Sequence, residues 1–302
     1  MITLVNIVLS VLALISLGYI AKASGLLKSQ DAGILNKVII YLTLPALIFD
    51  KVVNSRVSLE YLKFPLVAFL IMGTSLGLAY LLGRAISLKS KTFGAFLLAC
   101  AIGNTGYLGY PLTLAIFKET HFVKALFYDL FGTVLFVFTI GLYIAEIYGE
   151  DKKKINKVKE IVTFPPLLAL VAGLVLRGVI LPDFCLRCLE YLGPATIPLI
   201  MFSIGLTLTP VEVSRFKIPL ILVCLVKLGF SPLLALVIGR FVFTDASSLG
   251  IFVLEASMPT VLLSLVIGLK YKLDTGFLAA SIFITTLLSI LTIPLWQLMI
   301  TR

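Results

Sequence analysis

The sequence predicts an all-α polytopic membrane protein. Its ten transmembrane helices, numbered here as spans 1–10, form two inverted five-helix repeats in which spans 4 and 9 are broken and cross. Three observations carry that expectation. The first is composition: of 302 residues, 60% are apolar and 13% charged, with a mean hydropathy of +1.12. An ordinary soluble domain has about 25% charged residues, and one this poor in charge could not cover its surface, while a disordered chain would be far more polar. The second is length. Each span takes about 20 apolar residues, so ten use roughly 200 and leave about 100 for loops and ends. The third is internal similarity at an offset near half the chain, taken up below.

The apolar runs fall at about 4–22, 33–52, 64–86, 92–117 and 123–148, then at about 162–181, 187–209, 217–242, 247–270 and 275–300. The first run has no Lys or Arg before it and no small-residue cleavage site after it, so it reads as a retained helix. Loops after odd-numbered spans carry 15 Lys and Arg, against 9 for the loops after even-numbered spans and the C-terminus. The positive-inside rule then places both termini outside and the Lys152–Lys159 linker in the cytoplasm of a multi-pass plasma (inner) membrane protein. The net charge of +10 lies mostly in these short loops, where it fixes topology and meets anionic lipid. It does not mark a nucleic-acid partner.

The linker 149–160 divides a first repeat, 1–148, from a second, 161–302. Leu44-Pro45-Ala46-Leu47-Ile48-Phe49 resembles Ile197-Pro198-Leu199-Ile200-Met201-Phe202, and Lys63-Phe64-Pro65 resembles Lys217-Ile218-Pro219. Gly94-Ala95-Phe96-Leu97-Leu98 resembles Gly250-Ile251-Phe252-Val253-Leu254. Three marks in one order at a nearly constant offset argue for a repeat. Each half has an odd number of spans, so the second enters from the opposite side, an arrangement found in secondary transporters.

Span 4 contains Gly103-Asn104-Thr105-Gly106-Tyr107-Leu108-Gly109-Tyr110-Pro111. Three glycines and a proline weaken a helix, and broken backbone survives in hydrocarbon only when buried in protein or lining a cavity. Its counterpart in span 9 is Glu255-Ala256-Ser257-Met258-Pro259-Thr260. Interrupted helices in corresponding positions point to a transporter's binding site. The half-helices offer N–H groups to an anion and carbonyls to a cation. Gly103, Asn104, Thr105, Gly106, Tyr107, Pro259 and Thr260 are therefore the candidate substrate-binding residues, with a glycine-rich packing face as the bland alternative.

Charged groups inside spans are costly and usually face a cavity or a partner. Asp129, Lys227, Glu255 and, nearer an interface, Asp50 lie within spans. Glu255 stands beside the expected crossing, where it can carry a coupling proton, coordinate sodium, or pair with Lys227. Asp129 is either an ion-coupling acid or a buried hydrogen-bonding group, and Lys227 is a charge partner or an attractor of anions. Cys185 and Cys188 form a lone C-x-x-C that reads as a loop, with no second pair or nearby histidine, so no metal is expected. They read as two thiols, or a disulfide if extracytoplasmic. No metalloprotease, nucleophile-elbow or P-loop motif occurs, which argues against an enzyme and a resident cofactor.

These residues resemble the auxin efflux carrier family nearly end to end. The most specific stretches are Asn104–Pro111, Ile197-Pro198-Leu199-Ile200-Met201-Phe202-Ser203-Ile204-Gly205-Leu206, and Glu255-Ala256-Ser257-Met258-Pro259. The resemblance implies a scaffold of spans 1, 2, 6 and 7 and a moving transport unit of spans 3–5 and 8–10. It also implies elevator-type alternating access, and an organic anion bound at the span 4/span 9 crossing with Asn104 in contact. A homodimer through the scaffold spans is compatible with it. Plant members tend to have proline where this chain has Gly103, a looser helix breaker. The function expected is transport of a small organic anion, a carboxylate, coupled to a proton or sodium. A sodium/proton antiporter using Asp129 and Glu255 is the nearest rival, lowered by the missing pair of adjacent aspartates. A membrane ligand sensor is the rival from another class.

Overall fold

The computed structural model describes residues 2–55, 57–117, 119–151, 156–208 and 213–300. Residues 152–155 of the linker, including Lys152, Lys153 and Lys154, lie outside the described residues, as do Arg56, Lys118 and Arg302. Among the described residues the regular structure is helical, and six helices are long and apolar enough to cross a membrane: Ser29–Val53, Leu59–Ala85, Phe122–Tyr148, Asp183–Thr207, Lys217–Val242 and Thr275–Ile300. Shorter apolar helices cover Leu9–Ala23, Ser90–Ala101, Pro165–Val175 and Ala246–Ala256. With Tyr110–Ile116, Lys157–Val162 and Leu263–Tyr271, the helices run in chain order as α1 (Ile2–Ala23), α2 (Ser29–Val53), α3 (Leu59–Ala85), α4 (Ser90–Ala101), α5 (Tyr110–Ile116), α6 (Phe122–Tyr148), α7 (Lys157–Val162), α8 (Pro165–Val175), α9 (Asp183–Thr207), α10 (Lys217–Val242), α11 (Ala246–Ala256), α12 (Leu263–Tyr271) and α13 (Thr275–Ile300). A polytopic membrane protein is what these lengths and compositions make.

Two differences from the sequence expectation are local. Span 6 ends at Val175, because the chain turns through Gly178 at φ 78 before Pro182 starts the next helix. That helix begins at Asp183, so Cys185 and Cys188 lie in its first turns, not in a loop, and both are free thiols.

Prolines shape three helices in the same way. Segments Ile39–Thr43, Thr105–Gly109 and Leu225–Phe230 are π-helical, and each is followed two residues later by a proline: Pro45, Pro111 and Pro232; Phe127–Val134 and Val137–Gly141 in α6 are π-helical too, without such a proline. Proline lacks the N–H that would close the preceding turn, and its ring presses on the carbonyl four residues back; widening that turn to π geometry relieves both effects. In α10 the carbonyl deprived by Pro232 is that of Leu228, and the Trp296 indole N–H donates to it at 2.8 Å.

The contacts gather into two compact units. One comprises residues 1–59, 110–126 and 158–209. Within it α1 and α9 approach backbone to backbone at Gly18 and Gly205, where a Cβ on Gly205 would stand 2.9 Å from the Gly18 Cα and on the Ile15 carbonyl. Small residues drive such helix contacts in a lipid environment, where the hydrophobic effect gives no help. Ser203 donates to the Asn36 side chain at 2.8 Å, tying α9 to α2.

The other unit comprises residues 60–109, 127–157 and 210–302. Phe252 of α11 anchors it, with Phe64, Phe243 and Tyr128 around its ring at centroid distances of 5.1–6.4 Å. At one end, Lys91 pairs with Glu150 at 2.5 Å, and that hydrogen bond holds the exposed Glu150 carboxyl below the usual carboxylate range. Both interrupted helices, α4 and α11, belong to this unit.

Candidate functional site

α4 stops at Ala101 and α11 at Ala256; their first residues, Ser90 and Ala246, stand 156 positions apart. After α4 the chain is extended at Ile102 (φ −106°, ψ 119°). The two extended stretches meet antiparallel at Gly103 and Thr260. The Asn104 N–H donates to the Pro259 carbonyl at 2.7 Å and the Val261 N–H to the Ile102 carbonyl at 3.2 Å. Breaking a helix in hydrocarbon strands backbone groups, and these crossed bonds satisfy several. Side chains satisfy others. The Thr260 hydroxyl donates to the Ala99 carbonyl at 2.9 Å, the Thr260 N–H donates to the Thr285 hydroxyl at 3.1 Å, and the Ser257 hydroxyl donates to the Leu254 carbonyl at 2.7 Å.

The glycines of the broken stretch recur every third residue, and each is met by a different in-span charge. A Cβ on Gly103 would lie 3.1 Å from the Lys227 Cε and 3.2 Å from its ammonium; one on Gly106 would lie 3.2 Å from a carboxylate oxygen of Asp129. A Cβ on Gly109 would collide with the Glu255 carboxylate. Asp129, Lys227 and Glu255 are all buried, Glu255 completely. Thr105 donates to the Asp129 carboxylate. Lys227 donates to the Ala256 carbonyl at 3.1 Å and to the Ser231 hydroxyl at 3.4 Å. Asn104 is buried, its carbonyl accepts from the Leu108 and Gly109 N–H groups, and its side-chain amide bonds to none of the described residues. Tyr107, on the same turn, is partly exposed. The structure thus brings all ten sequence-selected residues to one crossing. Asp50 lies elsewhere, at the end of α2 beside Lys51, which bridges it and Glu119.

Sequence reasoning missed Ser231 and Thr285, which hold the broken ends from α10 and α13. Ser281, Thr285 and Ser289 recur every four residues on α13 and are buried; that polar stripe in an apolar helix was the available signal. The three-residue glycine spacing was another, since it lines up one backbone face for close approach.

A family model described as membrane transport protein matches residues 3–297. The chain belongs to that family, the auxin efflux carriers. This membrane transport protein is 37% identical to an uncharacterized transporter of Methanocaldococcus jannaschii, over 96% of this chain and 97% of the relative. It is 38% identical to an uncharacterized transporter of Methanothermobacter thermautotrophicus, over 96% of each. A protein of Rhizobium meliloti named "Putative malonate transporter" is 30% identical over 95% of this chain and 93% of that protein. Family and relatives alike are transporters, not enzymes.

Proposed function

We propose that this transporter is a secondary carrier that moves a small organic anion, a short carboxylate, by elevator-type alternating access. The anion binds at the Gly103–Thr260 crossing. The observation that carries the reading is the seating of Lys227, Asp129 and Glu255 on the three glycines of one broken backbone stretch. With both carboxylates ionised the three charges sum to −1 and repel an anion; a proton on Glu255 brings the sum to zero. Uncompensated charge is felt strongly in a low-dielectric site, so anion and proton enter together, with Glu255 as the coupling acid. Asn104 contributes an uncommitted amide to the substrate carboxylate, and Thr105 orients Asp129. The N-terminal end of α12, which follows the break in span 9, favours the negative charge.

In this reading the chain has ten spans in two inverted repeats, with both termini extracytoplasmic. The common start of α4 and α11, 156 residues apart, supports the repeat, as do the Lys-x-Pro openings at Lys63 and Lys217. The unit holding residues 60–109, 127–157 and 210–302 corresponds to the transport unit and the unit holding α1, α2, α8 and α9 to the scaffold, except that residues 110–126, with α5 and the start of α6, group with the latter. The malonate named for the Rhizobium relative supports a dicarboxylate as the first substrate to try. A thermal-stability screen of the purified protein against short mono- and dicarboxylates tests the reading. A carboxylate should raise the Tm more at pH 5 than at pH 8, and Asn104→Ala should remove the rise. A protein stabilised by sodium or lithium salts whatever the anion would contradict it.

A further inference from the structure

Glu255 and Asp129 have tasks in the proposed cycle, whereas Lys227 enters it only as a counter-charge. Its surroundings are more specific than that. Ala256 is the last residue of α11. In a continuing helix its carbonyl would accept from the Thr260 N–H, but that N–H is given to Thr285 at 3.1 Å. The break therefore leaves the Ala256 carbonyl exposed at the negative end of the α11 dipole. Lys227 comes to it at 3.1 Å, and the Ser231 hydroxyl, which donates to the same carbonyl at 3.0 Å, accepts from Lys227 at 3.4 Å.

A backbone carbonyl at the C-terminal end of a half-helix, joined by a hydroxyl, is the kind of donor set that holds a monovalent cation in a membrane carrier. Here a cation already occupies it, and it is covalently attached. The wide turn Leu225–Phe230 carries Lys227, and Gly103 leaves room for it, since any side chain there would press on the Cε and the ammonium. Ser231, one turn on from Lys227, is the residue just before Pro232 and is itself buried. Three elements thus build this place: the end of α11, the start of the second half of α10, and the extended stretch after α4.

We infer that Lys227 is a tethered cation: its ammonium fills the position at the Ala256 carbonyl and Ser231 hydroxyl that a sodium ion would otherwise take, so this protein binds no sodium there and its substrate binding is independent of sodium. The consequence for the substrate rests on the carrier reading above. The occupancy claim does not.

The test uses ligand-free, full-length protein in detergent, with Tm measured as sodium chloride replaces choline chloride at constant ionic strength. The wild type should unfold at the same temperature in both salts. Lys227→Met, whose stem fills the place without charge, should also be indifferent to the exchange. Lys227→Ala vacates the place, and saturating sodium should raise its Tm by about 4 °C or more relative to choline. A sodium-dependent rise in the wild type overturns the inference, as does a folded Lys227→Ala protein indifferent to sodium. Should Lys227→Ala not fold, the wild-type titration decides. Malonate added in each salt separates the two claims: failure to bind malonate counts against the carboxylate reading and leaves the sodium comparison intact.

Discussion

The two units use glycine for opposite purposes. At Gly18 and Gly205, α1 and α9 touch through main-chain atoms, and a methyl group at either position meets a carbonyl that cannot move without moving a helix. At Gly106 and Gly109 the neighbours are the tips of Asp129 and Glu255, and at Gly103 the nearest is the tip of Lys227, with the Met258 carbonyl oxygen next at 3.3 Å. A methyl group there meets the far end of a flexible side chain, which can swing aside but then leaves its position. The same residue type therefore protects packing in one unit and charge placement in the other. Substitutions should separate the two roles cleanly.

The largest effect is expected at the crossing. Gly109→Ala should lower carboxylate uptake by about 100-fold, the scale of loss when a functional group is displaced by about an ångström, while the purified protein stays folded and monodisperse. Uptake by proteoliposomes per mole of folded protein measures it. Next comes Glu255→Gln. It keeps the shape of the side chain and removes the coupling acid, so uptake should persist down a substrate gradient but no longer respond to an imposed pH gradient. A variant driven by the pH gradient like the wild type contradicts the coupling role. Gly205→Ala should do the reverse of Gly109→Ala. Overpacking costs about 1–3 kcal/mol, so its Tm should fall by several degrees at about 2–4 °C per kcal/mol, with uptake per folded molecule unchanged. The smallest effect is at Trp296→Phe, which leaves the Leu228 carbonyl without its indole donor and should cost about 1 kcal/mol, visible in the thermal unfolding curve alone.

Much of this arrangement could be read from residues. The break in α4 and its partner in α11 followed from glycine and proline in runs otherwise apolar, and the charged residues followed from the cost of placing them there. Family membership was legible too, in Asn104–Pro111 and in the stretch from Ile197 to Leu206. Three things were not legible. The wide turns before Pro45, Pro111 and Pro232 were hidden because a proline in a membrane helix signals disruption without saying whether the helix stops or widens; Trp296, which accommodates one of them, is 64 residues away. The end of span 6 was not legible because Leu176, Val179 and Ile180 continue the apolar run beyond Val175 and through the turn at Gly178. The pairing of each glycine with one charge could not be foreseen, because Asp129, Lys227 and Glu255 come from three helices whose rotation no single-sequence pattern fixes.

The central claim is that the crossing carries an organic anion across the membrane, with Asn104 in contact with it. Counterflow of radiolabelled malonate in proteoliposomes tests it most directly, because exchange without a net gradient requires a moving site and cannot come from binding alone. The wild type should accumulate label transiently against unlabelled internal malonate, and Asn104→Ala, at equal reconstitution and unchanged Tm, should not. Undiminished counterflow by Asn104→Ala, or binding of malonate by the wild type with no counterflow, would contradict the account.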